Sequence, residues 1–276
     1  MAFKIVVTDL DGSLLDPATY SWEPARPALD RLRAGNIPCI FVTSKTRAEV
    51  EHWRRDTGNT HPFIVENGGA LIVPANYFPA PPAGLSIRGG MARDGATSIE
   101  WGTAYAVLVD ALQHAAAQTN CPVRSFSEMS VAEVASACAL PEEQARLARM
   151  REYDEPFLVL DPARGAALRA RIEARGLRWT SGGRFEHITG DNDKGRAVRA
   201  LLDIYRRTQG NVISVGLGDG LNDIPLLKSV TLPVVMPSPQ CAEILHLVPT
   251  AVVADRPGPE GWNRAILVLL AGQLGL

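Results

Sequence analysis

Residues 3–73 alternate two textures, and that alternation leaves few folds open. Phe3–Thr8, Ile37–Val42 and Phe63–Glu66 are short apolar runs rich in Val and Ile. Such runs suit strands covered on both faces. Between them, Glu23–Ala34 carries Ala25, Ala28, Leu29 and Leu32 at helical spacing and stops at Gly35, and Thr46–Thr57 stops at Gly58. Strand, helix, strand, helix, strand implies right-handed crossovers and a parallel sheet. Asn67-Gly68 is a hairpin signal that leads into Ala70–Val73.

The texture then changes. Phe78–Gly84 is rich in proline and ends on glycine, as a linker does. Residues 85–187 follow as an α+β unit. Its expected helices are Ala104–Ala117, Ser130–Ala137, Pro141–Arg151 and Pro162–Arg175. Its expected strands are Phe157–Leu160, Leu177–Ser181 and Phe185–Thr189. Alternation resumes with a helix over Lys194–Arg207 and a strand over Asn211–Leu217. A short helix over Asn222–Ser229, strands over Val230–Met236 and Ala251–Val253, and a closing helix over Glu260–Leu274 complete it. The expected organisation is one α/β core built from residues 1–83 and 190–276, with residues 84–189 inserted.

Charge and composition narrow the function classes. The 28 basic and 30 acidic residues leave a net charge of −2, and no basic block points to nucleic acid or an anionic membrane. Apolar stretches such as Ala265–Ala271 are far short of the roughly 18 residues a membrane span needs, and the run at Phe3 is too short for a signal peptide. The four cysteines form no CxxC pair and are expected as buried free thiols. The reading is a soluble cytoplasmic protein of α/β size.

Three features follow strands directly: Asp9-Leu-Asp11-Gly12, Thr43-Ser44-Lys45, and Gly218-Asp219-Gly-Leu-Asn222-Asp223. In an open parallel sheet, ligands bind beyond the carboxyl ends of the strands, so all three fall at one end of one sheet. Asp9, Asp11, Asp219 and Asp223 would then share a small volume, which is unfavourable unless a cation or proton intervenes. Hard oxygen donors suit Mg²⁺, and Lys194 adds a compact positive charge. Together these make a phosphoryl-transfer site. Each feature alone has an ordinary structural reading as a turn, a cap or a solvated residue; their joint placement at strand ends is what singles them out. Nucleotide-binding readings are weaker, because Leu221 stands where GxGxxG needs glycine and no GxxxxGK[ST] occurs. His52, His61, His114, His187 and His246 show no metal spacing, and surface or core roles are expected for them.

Asp9-Leu-Asp11-Gly12-Ser13, Thr43, Lys194 and Gly218-Asp219…Asn222-Asp223 resemble the four ordered motifs of the haloacid dehalogenase superfamily of phosphatases. Leu14–Ala25, Thr43–Glu49, Glu66-Asn-Gly-Gly69 and Gly182-Gly-Arg-Phe…Asp193-Lys-Gly195 are similar to the mannosyl-3-phosphoglycerate phosphatases within it. Ser13 departs from the usual Thr but keeps the hydroxyl. The resemblance implies a three-layer, Rossmann-like parallel sheet with a C2-type α+β cap that governs specificity. It implies Mg²⁺-dependent hydrolysis of mannosyl-3-phosphoglycerate to mannosylglycerate, a compatible solute. A glucosyl substrate, another sugar phosphate, or a non-catalytic binding module on the same fold are the alternatives. Asp9 would be the nucleophile and Asp11 the general acid and base. Asp9, the Asp11 main-chain carbonyl and Asp219 would hold the metal, with Asp223 orienting its waters. Thr43 and Lys194 would bind phosphoryl oxygens. Ser44, Lys45, Arg47 and Asn222 would bind substrate, with Gly182, Gly183 and Arg184 meeting the glycerate carboxylate from the cap.

Overall fold

The computed structural model describes residues 2–79, 95–182 and 185–272. The first stretch runs β1 (Phe3–Thr8), α1 (Arg26–Ala34), β2 (Cys39–Val42), α2 (Arg47–Thr57), β3 (Phe63–Val65) and β4 (Ala70–Val73). After β5 (Thr97–Glu100) come α3 (Tyr105–Thr119), β6 (Val123–Ser125), α4 (Val131–Cys138), α5 (Glu142–Ala148), β7 (Asp154–Val159), α6 (Pro162–Glu173), β8 (Arg178–Gly182) and β9 (Phe185–Thr189). The chain closes with α7 (Lys194–Gln209), β10 (Val212–Gly218), α8 (Ile224–Leu227), β11 (Leu232–Val235), α9 (Cys241–Leu247), β12 (Val252–Val253) and α10 (Gly258–Leu270).

The larger sheet has the order β12-β11-β10-β1-β2-β3-β4-β5. It is parallel from β12 to β3, and β4 and β5 add an antiparallel edge. Alternate residues of β1 enter different cores, as a strand buried on both faces requires. Val6 packs with α1, α2 and α10 through Leu29, Trp53 and Trp262. Ile5 and Val7 pack with α7, α8 and α9 through Val198, Leu226 and Ile244. This is the expected three-layer α/β core.

β1 sits at the crossover between the two halves of the chain. Thr8 is in register with Leu217 on one side and Phe41 on the other, which brings the ends of β1, β10 and β2 to one level. The strand end is also pinned from the far end of the chain. The fully buried Trp262 of α10 donates its indole N–H to Thr8 Oγ1 at 2.9 Å, and Thr8 Oγ1 donates to the Asp9 carbonyl at 2.7 Å.

The inserted unit is an antiparallel sheet, β6-β7-β9-β8. α3 and α6 cover one face through Leu108, Leu112, Leu168 and Ile172. α4 and α5 form a smaller cluster with Phe126 and Phe185. Four elements depart from the sequence reading. Thr97–Glu100, expected inside the insert, pairs with β4 as the edge of the larger sheet; its single core-facing apolar residue, Ile99, leaves no visible period. β7 starts at Asp154 rather than Phe157, because its opening residues are charged yet fully buried. β6 and α9 were not expected from sequence, and both are short. The cysteines also divide: Cys39 and Cys121 are buried, but Cys138 and Cys241 are only partly so. The expected linker beyond residue 79 lies outside the described residues. No described helix is long and apolar enough to cross a membrane.

Candidate active site

Asp9 is the first residue past β1, and its N–H still donates to Leu217 O at 2.9 Å, so the β1–β10 ladder sets its position. Lys194 opens α7, whose cap is the Asp193 carboxylate accepting from Arg196 N–H at 2.7 Å. The Lys194 side chain is fully buried. Its ammonium donates to Asp9 Oδ1 at 2.7 Å and to Asp223 Oδ1 at 2.6 Å. Asp223 Oδ2 accepts from the Asp219 and Gly220 amides, both at 3.0 Å, which folds the loop after β10 around its own carboxylate. Residues more than 180 positions apart in the chain thus share one buried ionic cluster.

Asp9, Asp219 and Asp223 each offer a carboxylate oxygen, and these atoms lie within 4.8 Å of one another. One lysine does not neutralise three carboxylates. Burial pushes Asp9 up to about 7, against the pull of Lys194, with Asp223 and Asp11 adding to the rise. Burial, reinforced by Asp9 and Asp223, pushes Asp219 up to about 8. Lys194 moves the other way: burial alone would lower it, but the two flanking carboxylates hold it above its usual value. An oxygen-rich, charge-deficient cluster of this kind fits a hard divalent cation.

The turn after Asp9 is built to let this cluster form. Gly12 has φ +73°, and a Cβ there would lie 2.3 Å from Asp219 Oδ2. Gly218 is as tight, with its missing Cβ 2.5 Å from the Asp223 side chain. Gly12→Ala is therefore expected to cost roughly 1–3 kcal/mol of stability through backbone strain and to displace Asp219. A lowered melting temperature checks the strain, and weaker binding of a divalent cation in a calorimetric titration checks the displacement; an unchanged cation titration would refute it.

The other sequence-derived residues are not all brought to one place. Asp11 lies at the cavity edge, its carboxylate 41% exposed and 3.0 Å from Lys45 Nζ, outside the three-carboxylate group. Lys45 lines the cavity, but its charge is shared between Asp11 and Glu49, the latter at 3.6 Å. Thr43 is fully buried at the end of β2, its Oγ1 accepting from Lys45 N–H at 3.2 Å. Ser44 and Asn222 line the cavity. Arg47 does not: it lies on the first turn of α2 and donates to Glu51 at 2.7 Å, the (i, i+4) geometry of one helix face. Gly182 ends β8, paired with Phe185. Gly183 and Arg184 lie outside the described residues.

The cavity, about 560 Å³, lies between the strand ends and the insert. Asp9, Asp11 and Asp219 face it from the core, and Phe126, Phe185 and His187 from the insert. Direct bonds tie the two units at its rim. Leu147 O accepts from Thr46 Oγ1 at 2.9 Å, and Arg151 donates to Ser44 O at 2.7 Å. The Glu66 carboxylate accepts from the amides of Glu152 and Tyr153, at 3.0 and 2.7 Å. Asn67 donates to Asp154 at 2.8 Å and accepts from Asn222 Nδ2 at 3.1 Å, joining the insert to the loop after β10. Glu66 and Asn67 both have positive φ, 47° and 54°. Such strain in non-glycine residues is held in place by these bonds. The sequence reading gave Asp154 and Arg151 no role. No local periodicity marks them, since their partners come from other elements.

The profile of the haloacid dehalogenase-like hydrolases matches residues 160–240. A glucosyl-3-phosphoglycerate/mannosyl-3-phosphoglycerate phosphatase of Methanococcoides burtonii is 41% identical over 268 residues, covering 96% of this chain and 97% of that protein. A mannosyl-3-phosphoglycerate phosphatase of Pyrococcus furiosus is 32% identical over 227 residues, 82% of this chain and 88% of that one. In fold, the chain is similar to Thermoplasma acidophilum 0175, with a TM-score of 0.67 at 17% identity over 97% of this chain and 98% of that one. BT1666 of Bacteroides thetaiotaomicron, among the phosphatases of the haloalkanoate superfamily, gives a TM-score of 0.65 at 18% identity, covering 98% of this chain and 96% of that one.

Proposed function

The chain belongs to the haloacid dehalogenase-like hydrolases, as a phosphoric monoester hydrolase, and from that premise we propose that it converts mannosyl-3-phosphoglycerate to mannosylglycerate and phosphate. The glucosyl counterpart is proposed as a second substrate, because the Methanococcoides burtonii relative carries both names over nearly the whole chain. The observation that carries the phosphatase chemistry is the buried Lys194 ammonium between Asp9 and Asp223, with Asp11 two residues on at the cavity.

In the proposed reaction an Asp9 carboxylate oxygen attacks phosphorus in line, forming an aspartyl-phosphate as the ester P–O bond breaks. Asp11 gives its proton to the departing glycerate oxygen. It then takes one from water, which attacks the same phosphorus, breaks the P–O bond to Asp9 and releases phosphate. Lys194 compensates charge on the phosphoryl oxygens and keeps Asp9 oriented. Thr43, with its hydroxyl beside the Lys45 amide, and Ser44 supply polar groups at the next strand end. Asp9, Asp219 and the Asp11 carbonyl would hold Mg²⁺, with Asp223 acting through hydrogen bonds. Bound there, the cation would offset the acidic crowding and stabilise charge on the phosphoryl group.

Comparing kcat/KM for mannosyl- and glucosyl-3-phosphoglycerate with simple sugar phosphates tests the substrate assignment. Preference for either glycosyl-phosphoglycerate supports it, and a stronger preference for a plain hexose phosphate overturns it. EDTA is expected to stop hydrolysis and excess Mg²⁺ to restore it. Ca²⁺ should substitute poorly, because its larger and looser shell misplaces the nucleophile. Full activity after exhaustive chelation would contradict the metal assignment.

A further inference from the structure

The polar groups that the insert turns toward the cavity are few, and the chemistry above leaves them without a role. Phe126, Leu140 and Phe185 make its wall largely apolar; Arg151 and His187 interrupt it. Both are almost entirely buried and both meet Asp154, which has no exposure at all. His187 Nδ1 lies 2.8 Å from Asp154 Oδ1, and Arg151 NH1 lies 3.4 Å from the same oxygen. Asn67 donates to the other oxygen at 2.8 Å. Burial would raise Asp154, but His187, Arg151 and Asn67 outweigh it and hold the carboxyl below its usual range. Asp154 is therefore an anion that accepts a hydrogen bond from the Nδ1–H of His187 and fixes the ring.

We infer that His187, oriented by Asp154 and flanked by Arg151, is the specificity-determining residue that binds the carboxylate of the phosphoglycerate leaving group. With Nδ1 committed, Nε2 is the ring nitrogen left to meet a ligand at the cavity wall. An imidazolium donates from Nε2. Arg151 already faces Asp154, Glu49, Glu66 and Glu155, so the Nε2–H of the protonated ring is the donor left to meet a ligand carboxylate. Phosphate-binding groups come from the core and act on what every phosphate ester shares. His187 comes from the insert and meets what distinguishes one ester from another. This inference rests on the phosphoglycerate reading of the substrate and deepens it.

3-Phosphoglycerate and glycerol 3-phosphate isolate the feature, because they differ only in a carboxylate against a hydroxymethyl. The wild-type enzyme is expected to prefer 3-phosphoglycerate in kcat/KM. His187→Gln should lose roughly ten- to hundredfold more on 3-phosphoglycerate than on glycerol 3-phosphate, the range of a charged hydrogen bond. Asp154→Asn should erode the preference in the same direction, with thermal melting reporting the fold of each variant. In the wild-type protein, the imidazole ¹⁵N resonances of His187 should shift on adding 3-phosphoglycerate and move little with glycerol 3-phosphate, a readout that needs no variant. Equal losses on both esters, no carboxylate preference in the wild type, or an unmoved His187 resonance would each overturn the assignment. If the wild type favours 3-phosphoglycerate but ignores both glycosyl-phosphoglycerates, the substrate reading fails while the role of His187 stands.

Discussion

Asp9→Asn is expected to lower turnover on the order of 10⁴-fold or more, because it removes the atom that would form the covalent bond to phosphorus. The fold should survive. Asn keeps the size of Asp, Lys194 retains Asp223 at 2.6 Å, and the neutral amide escapes the burial and carboxylate crowding that push Asp9 up to about 7. Rapid acid quenching of the wild-type enzyme during turnover, followed by peptide mass spectrometry, should find an acyl phosphate on Asp9 and none in the variant. Asp11→Asn should behave differently. It loses only proton transfer, a factor of roughly 10²–10⁴, and should still phosphorylate Asp9 slowly when the leaving group is good. Near-wild-type activity in Asp9→Asn would end the covalent mechanism.

Lys194→Met is expected to lose both activity and stability. Its ammonium has no exposure and bridges two buried carboxylates, so its removal leaves those charges unpaired. Breaking a buried pair from one side costs roughly 3–5 kcal/mol. Turnover should fall roughly 10²–10³-fold on every phosphate ester alike, since in the proposed mechanism the lysine would serve the shared phosphoryl group rather than the leaving group. Denaturant unfolding and kcat/KM on an aryl phosphate and a phosphoglycerate check both parts. Adding Asp223→Asn should return part of the stability but none of the activity. A loss confined to one substrate would move Lys194 out of the phosphoryl site.

The contrast between Lys194 and His187 shows what a sequence reveals about a site. Asp9, Asp219 and Asp223 were legible because each follows a recognisable buried strand, and strand ends on one edge of a parallel sheet must converge. Lys194 was legible as the first residue of a helix after the insert. His187, Arg151 and Asp154 carry no such mark. His187 sits in a strand whose partners are β7 and β8, and its place at the cavity depends on how the insert lies over the core. Asp154 and Glu155 are charged yet fully buried, so the start of β7 carries no apolar signal. Arg47 errs the other way: a cation at a helix start beside the site suits an anion, but its side chain pairs with Glu51 instead.

Local pattern alone determined the alternating elements, the parallel sheet and the edge on which Asp9, Asp219 and Asp223 gather, because strand and helix periods and crossover handedness act over short stretches of chain. Only the tertiary structure decided that Thr97–Glu100 belongs to the larger sheet, that Lys45 is shared with Asp11 and Glu49, and that Glu66, Asn67 and Asp154 lock the insert to the core. Those outcomes are choices of partner among buried polar groups. Each such group must find a donor or acceptor once water is gone, and which one it finds depends on distances that no stretch of sequence contains.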